Sequence, residues 1–121
     1  MNAALWAGVV LLGGVGAVMR FVIDRAVARR LSGPFPFGTL TVNVSGATLL
    51  GFLGGLALSH WLAMLAGTAF VGSYTTFSTW MLETQRLTEE RQLRPAIMNI
   101  VVSVACGLLA AWLGQQIGAR L

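Results

Sequence analysis

Between residues 3 and 23 the sequence reads AALWAGVVLLGGVGAVMRFVI, with Arg20 as its single charge. Three further stretches share that character: roughly residues 38–58 and 95–118, which carry no charge, and 61–83, whose one charge is the terminal Glu83. A bilayer-crossing helix needs about 20 mostly apolar residues, and each stretch supplies them. With 56% hydrophobic and 10% charged residues in a 121-residue chain, nothing is left over for a soluble domain. The expected fold is an all-α membrane protein: one domain over residues 1–121 with four transmembrane helices. The first apolar run has no basic residue before it, so it reads as a retained span and not as a cleaved signal peptide.

The connections carry the charge. Ser32, Gly33, Pro34 and Pro36 break the chain after the first span. Ser59 and His60 form a short second turn, and TQRLTEERQLR is a charged third connection. Pro95 suits the first turn of the last helix. Arg25, Arg29 and Arg30 lie in the first connection and Arg86, Arg91 and Arg94 in the third, against Arg120 alone on the other side. The positive-inside rule places the two Arg-rich loops in the cytoplasm and both termini outside. Eight arginines, no lysine and four acids point to anionic headgroups or an anionic solute. Nucleic acid is excluded as a partner, because no polar domain presents a basic face. Cys106, the only cysteine, reads as a small core residue. Gly51 and Gly55, then Gly107, Ala111, Gly114 and Gly118, have the spacing of closely packed membrane helices.

Polar groups inside such spans need partners or a task. Asn43 lies mid-span in GTLTVNVSG, with Thr39 one turn earlier on its face and Thr41, Ser45 and Thr48 on a second stripe. It suits either an interhelical hydrogen bond or a pore-lining donor to an anion. Arg20 suits either a snorkelling cation or an anion-attracting vestibule. Asn99 and Ser103 share a face of the last span and suit helix–helix hydrogen bonding. The densest cluster is GSYTTFSTW, residues 72–80, with six hydroxyls in nine residues. Gly72, Ser73 and two adjacent threonines weaken a helix. A break there exposes carbonyls in mid-membrane, where a cation is a natural guest. Phe77 and Trp80 share a face, and an aromatic ring has a positive edge that attracts anions; on the residues alone, ordinary packing is the favoured account of that spacing.

GGVGAVMR, GTLTVNVSG and GSYTTFSTW together resemble the three signature stretches of the fluoride channels called Fluc or CrcB, in order and spacing, over essentially the whole chain. The resemblance implies a passive fluoride-selective channel in the cell membrane that lets cytoplasmic fluoride escape. It also implies an antiparallel dual-topology dimer with two pores, a third helix broken near its middle, and a structural, non-transported sodium ion. The backbone carbonyls of Gly72 and Thr75 would hold that ion, two from each subunit. Asn43 matches the pore-lining Asn, Phe77 the first pore phenylalanine, and Arg20 the vestibule Arg. Thr39, Thr76, Ser78, Thr79 and Ser103 are members of the polar track, and Glu83 borders a pore entrance.

Two features depart from the family pattern. Ser73 stands where a second Gly is usual, and Trp80 where a second Phe is usual. Trp80 keeps an aromatic edge and adds an N–H, and its larger bulk is also suited to blocking a pore. The six-to-one loop charge bias favours one insertion direction. That leaves a homodimer and a heterodimer with a sister chain of opposite bias both open. The rival functions are a small four-helix cation or multidrug exporter and a non-conducting subunit. Proton-coupled export wants an acid inside a span, and here Asp24 and Glu83 sit only at span ends. An enzyme is not expected, since His60 has no convergent acid, base or nucleophile in sequence.

Overall fold

The computed structural model describes residues 2–121. Among them every regular element is helical: α1 (Ala3–Arg30), α2 (Phe37–Gly55), α3 (His60–Ala63), a π-helical stretch (Met64–Val71), α4 (Gly72–Tyr74), α5 (Ser78–Glu89) and α6 (Leu93–Ala119). Asn2 caps α1, its side chain accepting the Leu5 N–H at 2.8 Å. α1 continues past the expected boundary near residue 23, because nothing breaks it before Ser32–Pro34. Gly33, at φ 123°, takes a backbone conformation that glycine adopts freely, and it turns the chain towards α2. Much of the charged third connection is helix, since α5 extends to Glu89.

α1, α2 and α6 are long and apolar enough to cross a membrane. The glycines fix the helix directions. Gly8 faces Leu65, Gly13 faces Ala69, and Gly16 faces Phe70 and Ser73, so α1 runs parallel to the segment from Met64 to Tyr74. Gly51 faces Ala111, Gly55 faces Gln115 and Gly118, and Gly114 faces Thr48 and Phe52, so α2 and α6 also run parallel. Two parallel neighbours require the chain between them to return across the same thickness. The segment from α3 to α5 makes that return, antiparallel to α2, with Leu50 near Gly67 and Gly46 against Thr75.

The α2–α6 seam is backbone against backbone. A Cβ at Gly51 would meet the Ala111 carbonyl, one at Gly114 the Thr48 carbonyl, and one at Gly118 the Phe52 carbonyl. With no hydrophobic effect between helices in lipid, such close contact is what makes them associate. The protein core is correspondingly small: Val42, Val71, Tyr74, Leu87, three alanines (Ala69, Ala96, Ala110) and three polar residues (Thr39, Thr76, Asn99), besides buried glycines. Large apolar side chains such as Val10, Leu108 and Trp112 face outward, as lipid or a second subunit allows. Cys106 corrects the sequence reading. It lies on the exposed face of α6, because the buried stripe of that helix passes through Ala110, Gly114 and Gly118 instead.

The seam predicts a contrast between two single-methyl substitutions. Gly114→Ala drives a Cβ into backbone and costs about 1–3 kcal/mol of stability. Gly107→Ala meets open space and leaves the thermal unfolding midpoint of the detergent-solubilised protein unchanged or slightly raised, whereas Gly114→Ala lowers it.

Candidate functional site

After α3 the chain runs as a wide π-helix from Met64 to Val71, with the Gly72 N–H bonded five residues back to the Gly67 carbonyl. π turns displace later residues from α-helical register and are frequent at functional sites. At Thr75 the chain turns extended, with φ −82° and ψ 161°, and helix resumes only at Ser78. Three residues thus leave the helical ladder halfway along the return segment.

Asn43 on α2 takes up that gap. Its Nδ2 donates to the Thr76 carbonyl at 2.9 Å, and its Oδ1 accepts the Thr76 N–H at 2.8 Å. The side-chain amide thereby acts as a strand neighbour for the N–H and C=O of one residue, Thr76. Of the two roles the sequence left open for Asn43, the interhelical bond is present in this geometry. The second Nδ2 proton has no acceptor among the described residues.

The six hydroxyls sort into distinct tasks. Ser73 Oγ donates back to the carbonyls of Ala69 and Phe70, and Thr75 Oγ1 to that of Val71. These two satisfy themselves locally. The Tyr74 hydroxyl meets Ser45 Oγ at 2.9 Å. Thr76 Oγ1 accepts the Thr79 N–H, capping α5, and lies 3.4 Å from Ser78 Oγ. The Thr79 hydroxyl lines a cavity. The carbonyls are different: among the described residues no backbone N–H donates to Gly72, Ser73 or Thr75 across the break.

Two cavities meet at Thr76. The first, of about 220 Å³, is polar and is lined by Arg20, Asp24, Thr39, Val42, Thr76 and Thr79. The second is a groove of about 330 Å³, lined by Asn43, Leu50, Thr75, Thr76, Phe77 and Trp80. Within it the Phe77 and Trp80 rings meet edge to face, 5.8 Å apart at 80°. The structure therefore gathers Arg20, Thr39, Thr76 and Thr79 on one side, and Asn43, Thr75, Phe77 and Trp80 on the other. Ser78 and Ser103 line neither cavity. Glu83 sits further towards the Arg-rich loops, in a pocket shared with Asp24 and Arg86.

The Trp80 indole N–H donates to the Asn99 carbonyl at 3.1 Å, so it is already engaged within the chain. Buried polar atoms with no partner in the chain remain at Thr39 Oγ1, Glu83 Oε1, Asn99 Oδ1 and Ser103 Oγ. Asp24 was not among the expected site residues. Its signal is the i,i+4 spacing from Arg20, which puts both on one face of α1.

The reciprocal amide pair predicts that Asn43→Leu, which removes two hydrogen bonds from a buried peptide, costs about 1–3 kcal/mol locally. Hydrogen–deuterium exchange in peptides covering residues 70–80 rises in that variant, while exchange in α1 stays at the parent level.

Sequence comparison places the chain among relatives. The family profile described as CrcB-like protein, Camphor Resistance (CrcB), matches residues 7–115. The protein named fluoride-specific ion channel FluC 2 of Mycolicibacterium paratuberculosis is 74% identical, covering 96% of this chain and 95% of its own. The FluC 2 of Mycobacterium tuberculosis is 66% identical over 97% of this chain and 93% of its own. A FluC 1 of Nocardia farcinica is 48% identical over 85% and 73%. With its apolar helices and a match over nearly its whole length, this multi-pass membrane chain belongs to the CrcB-like family.

Proposed function

We propose that this chain is a subunit of a passive, fluoride-selective channel of the cell membrane, one that lets cytoplasmic fluoride leave. Relatives of 66–74% identity bear the name of fluoride-specific ion channels. The observation in the chain itself that supports the reading best is the interrupted return segment: a peptide held off the helix by Asn43, beside an edge-presenting aromatic pair. A small anion gives up bound water to enter a membrane. The remaining Asn43 N–H, the hydroxyls of Thr76 and Thr79 and the ring edges of Phe77 and Trp80 offer donors and positive edges in its place. Arg20, on the polar cavity, draws the anion in, and Asp24 four residues on limits how tightly it is held.

The α3–α5 segment is one broken span in this reading. The Gly72 and Thr75 carbonyls suit a hard cation, since they are backbone oxygens in mid-membrane that no N–H has claimed. Two such pairs, one from each of two antiparallel subunits, would hold a structural sodium ion. When bound, that ion supplies a positive charge that satisfies the carbonyls and ties the two breaks together. The chain's own part is to keep those carbonyls out of the helical ladder, and the Asn43–Thr76 pair does so. The channel is not an enzyme. Proton-coupled export has no acid deep within a span to run it, and the non-conducting-subunit reading leaves the second Asn43 N–H and the ring pair without a task.

The partner is a second subunit, and two observations favour a sister chain over a second copy. The loop arginines are biased six to one towards a single insertion direction. The relatives are numbered FluC 1 and FluC 2. Cysteines introduced near residues 2 and 119 report the orientation: labelling from one side only supports the sister chain, and labelling from both sides supports the homodimer.

Fluoride efflux from liposomes, read with a fluoride electrode against chloride, tests the function. Efflux is rapid and selective for the assembled channel. Asn43→Asp places a like charge on the anion's path in a low-dielectric site and lowers the flux by about a hundredfold or more. Phe77→Ile removes a ring edge worth about 1 kcal/mol or more and slows it several-fold. Equal fluoride and chloride efflux, or parental flux in both variants, would overturn the reading.

A further inference from the structure

The indole of Trp80 is tied into a network that the proposed anion path does not use. Asn99 on α6 is fully buried. Its backbone carbonyl accepts the Trp80 Nε1–H at 3.1 Å. Its side-chain Nδ2 donates to Thr84 Oγ1 at 2.9 Å and lies 3.4 Å from the Trp80 carbonyl. Thr84 Oγ1 in turn donates to that same Trp80 carbonyl at 2.9 Å. Both ends of Trp80, ring and peptide, are thus bound to one residue of the neighbouring helix. Hydrophobic packing alone would let a ring of this size rotate about its side-chain torsions; an N–H engaged at its far edge removes that freedom.

We infer that Asn99 is the positioning residue for Trp80. Its backbone carbonyl takes the indole N–H, and its side-chain amide, bonded to Thr84 beside the Trp80 peptide, keeps that carbonyl in place, so that the ring, and not its N–H, faces Phe77 and the groove containing Asn43. The assignment rests on the proposal that fluoride passes along that groove. It accounts for a tryptophan at this position. The extra N–H is consumed by α6, so the site keeps two aromatic surfaces and gains no additional donor for the anion. It also gives Asn99 a task that general helix adhesion does not, because its carbonyl takes the indole N–H while its amide reaches Thr84 and the Trp80 carbonyl, all on the turn that presents Trp80 to the groove.

A double-mutant cycle with a spectroscopic readout tests the inference on the full chain in lipid. Asn99→Leu keeps the volume and the backbone carbonyl that accepts the indole N–H, and removes the amide that holds that carbonyl against α5. With Trp80 present it slows fluoride efflux by about tenfold, and in the Trp80→Phe background, where there is no N–H to hold, by about twofold or less, the coupling expected of contacting residues. Equal losses in both backgrounds would show a merely structural Asn99 and overturn the inference. Independently of conduction, the indole N–H resonance that disappears in Trp80→Phe shifts and exchanges faster with solvent in Asn99→Leu. An unmoved resonance would also overturn it. If Asn99→Leu does not give a monodisperse protein, Thr84→Val, which removes one acceptor of the Asn99 amide, produces the same shift in smaller measure, and an unshifted signal there counts equally against the inference. If the parent chain passes no fluoride, the channel reading fails, and the indole signal alone decides whether Asn99 positions Trp80.

Discussion

One peptide bonded to one side chain governs this architecture. The Thr76 peptide has left the helix, and in hydrocarbon its N–H and C=O would each cost several kcal/mol if left alone. The Asn43 amide answers both groups at once, at 2.8 and 2.9 Å. Few side chains can do so. A carboxylate accepts but does not donate, and a hydroxyl is too short to reach both the N–H and the C=O of one residue. The break is therefore as stable as the position of α2 relative to the return segment. That position is set elsewhere, by Gly46 against Thr75 and by the Ser45–Tyr74 bond on one side, and by the glycine seam with α6 on the other. Close backbone packing permits little sliding, so the amide and the peptide stay in register.

The polar groups around the break divide by whether the chain satisfies them. Ser73 and Thr75 hydroxyls turn back onto the preceding turn, Tyr74 finds Ser45, and Trp80 finds Asn99. These hold the form. The carbonyls of Gly72 and Thr75 and the second Asn43 proton are left over, and they carry opposite polarities on adjoining parts of one break. A segment that presents both free acceptors and a free donor in mid-membrane is suited to a cation at one place and an anion at another. The proposed sodium and fluoride roles follow from that division without requiring the two ions to share a path.

Much of this was legible in the sequence. The four apolar stretches, the glycine spacing on the second and last spans, and the weakness of the helix at GSYTTFSTW are local properties, and local properties can be read from one chain. Which partner each polar group takes is not local. Asn43 and Thr76 lie 33 residues apart, and Trp80 and Asn99 lie 19 apart. Nothing in their spacing states that an amide will meet a peptide, or that an indole N–H will be engaged within the chain. The π-helical approach from Met64 to Val71 was equally hidden, since its residues have no composition that an ordinary helix lacks. Cys106 shows the same limit in reverse. A small apolar residue is usually buried, but on α6 the inward face is chosen by the glycines.

The groove beside the break is open to the side, and Phe77 is 69% exposed. An apolar ring facing lipid costs nothing. The second Asn43 N–H and the Thr75 carbonyl on the same groove are another matter, because polar groups facing hydrocarbon without partners are unstable. The proposed dimer supplies the missing wall. A second subunit that lays an aromatic or polar surface against Phe77 would close the groove into a path, and the chain alone holds only part of one. This bears on the choice between homodimer and sister chain. In a homodimer each groove is closed by the same surface and both contain Trp80. With a sister chain the two grooves differ, and the bulkier indole, held rigidly by Asn99, becomes the feature that distinguishes one path from the other.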